Sequence, residues 1–134
     1  MLDSQRTTGF PRSVRLLNSS DFQAIFKRPV VYSDRLFRVY GRALKNSTSG
    51  ATSRLGLAIS RKAASRAVDR NRIKRCVREA FRHLHHQLDE EGSVEFIVMA
   101  RPEAKMVDNA ELQAAIIALF KRTAARARAV TEAS

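Results

Sequence analysis

The chain has 134 residues, 44% of them apolar, and carries 25 Lys and Arg against 13 Asp and Glu, a formal net charge of +12. That length suits one domain with a real core, and the apolar share excludes a disordered chain. Unbalanced positive charge repels itself in a compact state, so a polyanion is the partner that relieves it.

Arg supplies 19 of the 25 cations, and a guanidinium offers phosphate a planar donor fork and stacks on bases. One cysteine, Cys76, excludes an internal disulfide and fits a reducing compartment. No stretch approaches the ~20 apolar residues of a membrane-spanning helix, and the N-terminus has no apolar signal region. The expectation is a cytoplasmic protein with no membrane partner.

Residues 1–15 mix Arg, Thr, Gly, Pro and Ser without period and read as a flexible basic arm. A single domain is expected over 16–128 and a short tail over 129–134. In "NSSDFQAIFKRP" a short helix is predicted, with Asn18 or Ser19 as cap, Asp21 in the first turn and Pro29 as its stop. "RLFRVYGRAL", 35–44, sets Phe37 and Val39 against Arg38, Tyr40 and Arg42, which is the alternation of a strand. "KNSTSGATS", 45–53, reads as a hairpin-type loop leading to a half-buried strand in "RLGLAIS", 54–60. After the basic helix, "GS" separates it from "VEFIVMA", 94–100, a nearly continuous apolar run suited to a central strand that Pro102 ends. The closing helix opens on Asp108 with Glu111 three residues on, similar to a capping box, and buries Leu112, Ala115, Ile116, Leu119 and Phe120. Arg126 and Arg128 read as part of a frayed basic end. The element order α-β-β-α-β-α implies a small α/β (α+β) two-layer sandwich.

The basic helix carries the function. With Ile73 at 0° and a step of about 100° per residue, Ile73, Cys76, Val77, Ala80, Phe81, Leu84 and Leu88 fall within about 70° of one line. Asn71, Arg75, Arg78 and Arg82 lie opposite, at about 140–200°, with Lys74 and Arg72 on the two flanks. A solvated face normally interleaves acids at i,i+4, and here only Asp69 and Glu79 do so within 69–82. Arg61, Lys62 and Arg66 extend the charge at the start of the helix. The pattern is a ridge for phosphates. "RNRIKR" is faintly similar to a homeodomain recognition helix, but that module has no strands and carries a Trp this chain lacks. His83, His85 and His86 are not joined by further ligands at metal spacing, so no metal site is expected. Cys76 sits on the apolar stripe and reads as a small buried hydrophobe.

The stretch "SRKAASRAVDRNRIKRCVREAFR", 60–82, resembles the signature of the protein subunit of bacterial ribonuclease P. "SDFQAIFK" at 20–27, "RLGLAIS" before the signature and "EFIVMARPEA" after it resemble the same family, over roughly 15–122 in order. The resemblance implies a left-handed β-α-β crossover around the signature helix, where connection rules alone favour the right-handed form. It also implies an RNA-binding surface made by Arg61, Lys62, Arg66, Arg70, Asn71, Arg72, Lys74, Arg75, Arg78 and Arg82. Phe22, Phe26 and Tyr40 match aromatic positions of the family's cleft for the single-stranded 5′ leader of precursor tRNA, where unpaired bases stack on aromatic rings. The implied partners are a catalytic RNA subunit and precursor tRNA, with no further protein required. The RNA cleaves the phosphodiester bond with magnesium ions that it mainly holds itself.

The protein is then a non-catalytic subunit of an endoribonuclease. In agreement, the residues show no carboxylate cluster at metal-ligand spacing and no nucleophile placed beside a base. From charge, size and Arg content alone, the alternative is a ribosomal-type or assembly RNA-binding protein without an enzymatic complex.

Overall fold

The apolar run Val94–Ala100 has both faces to bury, and in the computed structural model it forms an inner strand with a neighbour on either side. The structure describes residues 29–44 and 52–133. Strands β1 (Val30–Ser33), β2 (Phe37–Ala43), β3 (Arg54–Ala58) and β4 (Val94–Ala100) form one sheet in the order β1-β2-β4-β3. Helix α1 (Ala67–Glu91) links β3 to β4, and a short 3-10 helix (Pro102–Met106) leads from β4 to helix α2 (Asn109–Ala133). The two-layer α+β arrangement expected from the sequence is present; the helix expected before Pro29 lies outside the described residues.

Strand pairing differs from the local reading in one respect. The loop after β2 is not a hairpin connection, because β4 inserts between β2 and β3, antiparallel to the first and parallel to the second. The physical reason is burial: the strand with the most apolar surface takes the central place, and the half-polar β3 goes to an edge. The hairpin instead joins β2 to β1, a strand the sequence reading did not expect. Asp34 makes that turn, its Oδ1 accepting the amides of Leu36 and Phe37, both at 2.8 Å.

The register sorts each strand into two faces. Val39, Val98 and Leu57 align across β2, β4 and β3, as do Gly41, Phe96 and Leu55. This is the face the helices cover. Phe96 meets Phe120 of α2 at 4.7 Å between ring centroids and Phe81 of α1 at 6.2 Å, and Phe81 and Phe120 meet at 5.9 Å. All three rings are fully buried, and each side chain contributes about 1.5–3 kcal/mol by leaving water. A Cβ on Gly41 would come within 2.5 Å of Thr123 Cγ2, so the absence of a side chain there lets α2 lie close on β2.

The buried residues of α1 are Ile73, Cys76, Val77, Ala80, Phe81, Leu84 and Leu88, the stripe read from 3.6-residue periodicity. Gly92 ends the helix at φ 122°, a conformation that favours glycine. Asp108 caps α2, its Oδ1 accepting the Glu111 amide at 2.9 Å. The carboxylate of Glu111 pairs with Arg35. α2 continues to Ala133, so residues 129–133, read as tail, are helical.

Candidate nucleic-acid interface

Burial of the stripe on α1 turns the opposite side of that helix outward. Asn71, Arg75 and Arg82 are exposed, as are Arg61, Lys62 and Arg66 in the segment that enters the helix. Arg78 and Lys74 are half-buried. Arg82 donates to both carboxylate oxygens of Glu79 at 2.9 Å, so one member of the ridge has its charge partly offset. Among the described residues, no hydrogen bond or ion pair ties down the side chains of Arg61, Lys62, Arg66, Lys74 or Arg75. Four of these are fully on the surface, where a guanidinium or ammonium can meet phosphate.

Two arginines of the Arg70-Asn71-Arg72 run are built differently. α1 begins without a side-chain cap at Arg66. Arg70 reaches back instead, donating to the carbonyls of Ala64 and Ser65, both at 2.9 Å, and so fixes the segment that presents Arg61 and Lys62. Arg72 donates to Asn109 Oδ1 at 2.8 Å and to the Lys105 carbonyl at 3.1 Å, binding α1 to the 3-10 helix and the start of α2. Sequence periodicity sees charge and not partners, so these two clamps were hidden in it.

The second face of the sheet bears the polar positions. Across β2, β4 and β3 the rows are Arg38–Met99–Ala58, Tyr40–Ile97–Gly56 and Arg42–Glu95–Arg54. Tyr40 is half-buried, with the Arg38 guanidinium 5.8 Å from its ring centroid. Phe22 and Phe26, the other two aromatics assigned to a leader cleft, lie outside the described residues. Glu95 is 1% exposed and lies between two guanidiniums: Arg42 donates to its Oε1 at 2.7 Å and Arg54, through Nε at 2.9 Å and through a terminal nitrogen, to Oε2. The lone acid in an otherwise apolar strand was the available signal for this cluster. A groove of about 440 Å³ lies where this face meets α1, lined by Ala58, Ser60, Met99 and Lys74 among others. Met99 and Ala58 share a row with Arg38, so the groove joins the face of Tyr40 to the basic helix.

The far end of α1 has another character. Asp89 accepts the Ser53 amide and the Thr52 hydroxyl at 2.8 Å and the Ser93 hydroxyl at 3.1 Å, tying the entry of β3 to the end of the helix. Burial raises the Asp89 carboxyl, but the Ser53 amide, the Thr52 and Ser53 side chains and the charge of His85 outweigh it and hold the carboxyl below its ordinary range. His83 faces a carboxylate one turn back, Glu79, and His85 and His86 each face one a turn on, Asp89 and Glu90. Among the described residues no three His, Cys, Asp or Glu converge as a metal site. Burial pushes the Cys76 thiol up, against the charges of Arg72 and Arg75, which keeps it a thiol packed in the core. Arg128, expected in a frayed end, instead closes α1: it donates to the carbonyls of Gly92 at 2.9 Å and Leu88 at 3.2 Å. The last carbonyls of a helix are short of partners within it, and a cation at that end meets them and complements the dipole.

The arrangement therefore offers phosphate donors on α1 and an aromatic flanked by cations on the sheet. A family model described as Ribonuclease P matches residues 10–124. The ribonuclease P protein component of Thioalkalivibrio sulfidiphilus is 42% identical over 114 residues, 85% of this chain and 89% of that protein. That of Methylococcus capsulatus is 45% identical over 108 residues, 81% of this chain and 79% of that protein. The RNase P protein from Thermotoga maritima, solved in complex with 1-(4-fluorophenyl)-2-thiourea, superposes with a TM-score of 0.67 at 30% identity, covering 81% of this chain and 98% of that one.

Proposed function

Because the chain belongs to the ribonuclease P protein family, we propose that it is the RNA-binding subunit through which a ribonuclease P ribonucleoprotein matures the 5′ end of tRNA. A protein component of ribonuclease P supports an endoribonuclease complex and associates with its RNA. The observation that carries the finer reading is the surface of α1 and its entry segment, where Arg61, Lys62, Arg66 and Arg75 are exposed and not bonded to other described residues. Phosphate contacts of this kind position RNA without doing chemistry on it. Arg70 and Arg72 serve the same surface from beneath, by holding its backbone in place.

In this reading the chain performs no covalent step. Its face gathers guanidiniums and ammoniums, which bind phosphate, and the magnesium ions of the reaction are held mainly by the RNA. Precursor tRNA is the substrate, and its unpaired 5′ leader lies on the sheet face with Tyr40; Phe22 and Phe26 are the further residues assigned to stack its bases. Arg78 belongs to the ridge, and Lys74 on its flank lines the groove that leads to that face. The complex works in the cytoplasm and needs no second protein; among the described residues no helix is long and apolar enough to cross a membrane.

The test is cleavage of precursor tRNA by a bacterial ribonuclease P RNA at low magnesium, with and without this protein. Addition of the protein is expected to raise cleavage at the mature 5′ end, and the protein alone is expected to cleave nothing. Tight binding to that RNA without any gain in cleavage would favour a packaging or assembly protein instead.

A further inference from the structure

β2 places three functional side chains on one face by strand alternation: Arg38, Tyr40 and Arg42. Tyr40 is the aromatic of the proposed leader cleft, and a cation stands on either side of it along the strand. A nucleic-acid strand carries one phosphate per base, so a ring that stacks a base has phosphates on both sides of it. The Arg38 guanidinium lies over the Tyr40 ring, exposed to solvent. Arg42 is held at the other side by Glu95, at 2.7 Å.

Glu95 is unusual in its position. It is an acid with 1% exposure in the central strand, and it accepts from Arg42 on one neighbouring strand and Arg54 on the other. Two guanidiniums against one carboxylate leave the cluster one positive charge, so the buried acid fixes the cations without cancelling them. The Arg42 side chain keeps 36% exposure, and a guanidinium has five donors, of which Glu95 takes one here. A guanidinium held in place by a carboxylate loses less freedom on meeting phosphate than one free to swing.

We propose that Arg38 and Arg42 are phosphate contacts for the single strand that stacks on Tyr40, and that Glu95 is the positioning residue that sets Arg42 for this contact. The proposal rests on the leader reading above and names the charged residues of that site. It also accounts for an acid being kept inside a strand that is otherwise apolar.

The experiment measures affinity of the assembled ribonucleoprotein for two precursors, one with a full leader and one with a single leader nucleotide, as a function of salt. Arg38→Gln and Arg42→Gln are each expected to weaken the full-leader precursor several-fold, to flatten its log–log salt slope by about 0.7, the single-strand value per contact, and to leave the short-leader precursor unchanged. Glu95→Gln is expected to give the same leader-dependent loss and to add nothing in the Arg42→Gln background. If Glu95→Gln does not fold, Glu95→Asp, which withdraws the charge by one methylene, is expected to show that loss.

Unchanged full-leader affinity and slope in Arg38→Gln and Arg42→Gln would overturn the phosphate contacts. A loss from the Glu95 variant that is equal for both precursors, or additive with Arg42→Gln, would reduce Glu95 to a structural staple. Tyr40→Leu separates the two levels: a leader-dependent loss there with none in the arginine variants sinks this inference alone. No leader dependence in Tyr40→Leu sinks the leader reading itself.

Discussion

The guanidinium of Arg72 bonds Asn109 across 37 positions of sequence, joining the signature helix to the first residue of α2. Its neighbour three positions on, Arg75, is exposed and has no such bond. The two therefore separate under mutation. Arg72→Ala is expected to lose about 1–2 kcal/mol of folding stability through the Asn109 and Lys105 contacts, and Arg72→Lys to recover little, since an ammonium lacks the fork. Arg75→Ala is expected to change stability by no more than about 0.5 kcal/mol while weakening RNA binding. Urea unfolding of the three variants is the check, and equal losses at 72 and 75 would remove the clamp.

Phe81 and Arg82 test the phase of the helix in the same way. Phe81 is fully buried against the rings of Phe96 and Phe120, and Phe81→Ala is expected to cost about 3–5 kcal/mol. Arg82 pairs with Glu79 on the surface, both side chains close to half exposed, so Arg82→Ala is expected to cost no more than about 0.5 kcal/mol. Thermal unfolding that ranks them equal would misplace the whole face.

That face was legible in the sequence because it depends on local spacing. All seven stripe residues from Ile73 to Leu88 are buried, and the expected strand over 94–100 has the bounds Val94–Ala100. Strand pairing was not legible, since β2 finds β4 across half the chain and no local signal separates that from a hairpin with β3. The same limit hid the partners of Arg72 and Arg128, which lie 33 to 40 positions away and are brought close only by the fold. Alternation along β2 marks Phe37 and Val39 as the buried side, and by itself does not say what Arg38 and Arg42 on the other side meet.

Gly41 and Thr123 give a packing prediction. Alanine at 41 puts a methyl 2.5 Å from Thr123 Cγ2, so Gly41→Ala is expected to destabilise by about 1–3 kcal/mol. Removing the opposing methyl with Thr123→Ser is expected to return most of that loss in the double variant. A melting temperature for Gly41→Ala at or above the wild-type value would show that α2 does not press on β2 there.

Acid should loosen the end of α1. The Asp89 carboxyl is lowered from an ordinary value of 3.8: burial opposes the shift, and the Ser53 amide, the Thr52 hydroxyl and His85 produce it. A carboxyl lower in the folded state than in the unfolded one contributes stability that is complete above the unfolded value. That stability is lost as pH falls through the folded value. Asp89→Asn is therefore expected to reduce stability at neutral pH and to flatten its fall below about pH 4. A variant that loses stability in acid as steeply as the wild type would discharge Asp89 from this role.

The most direct measurement is the affinity of the protein for its ribonuclease P RNA between about 50 and 200 mM salt. If Arg61, Lys62, Arg66, Arg75 and their neighbours grip phosphates, six or more contacts are made, and affinity is expected to fall by about 10³-fold or more over that range as counterions are released. Arg75→Ala is expected to lower the slope by about one. An affinity nearly indifferent to salt, in wild type and variant alike, would contradict the account.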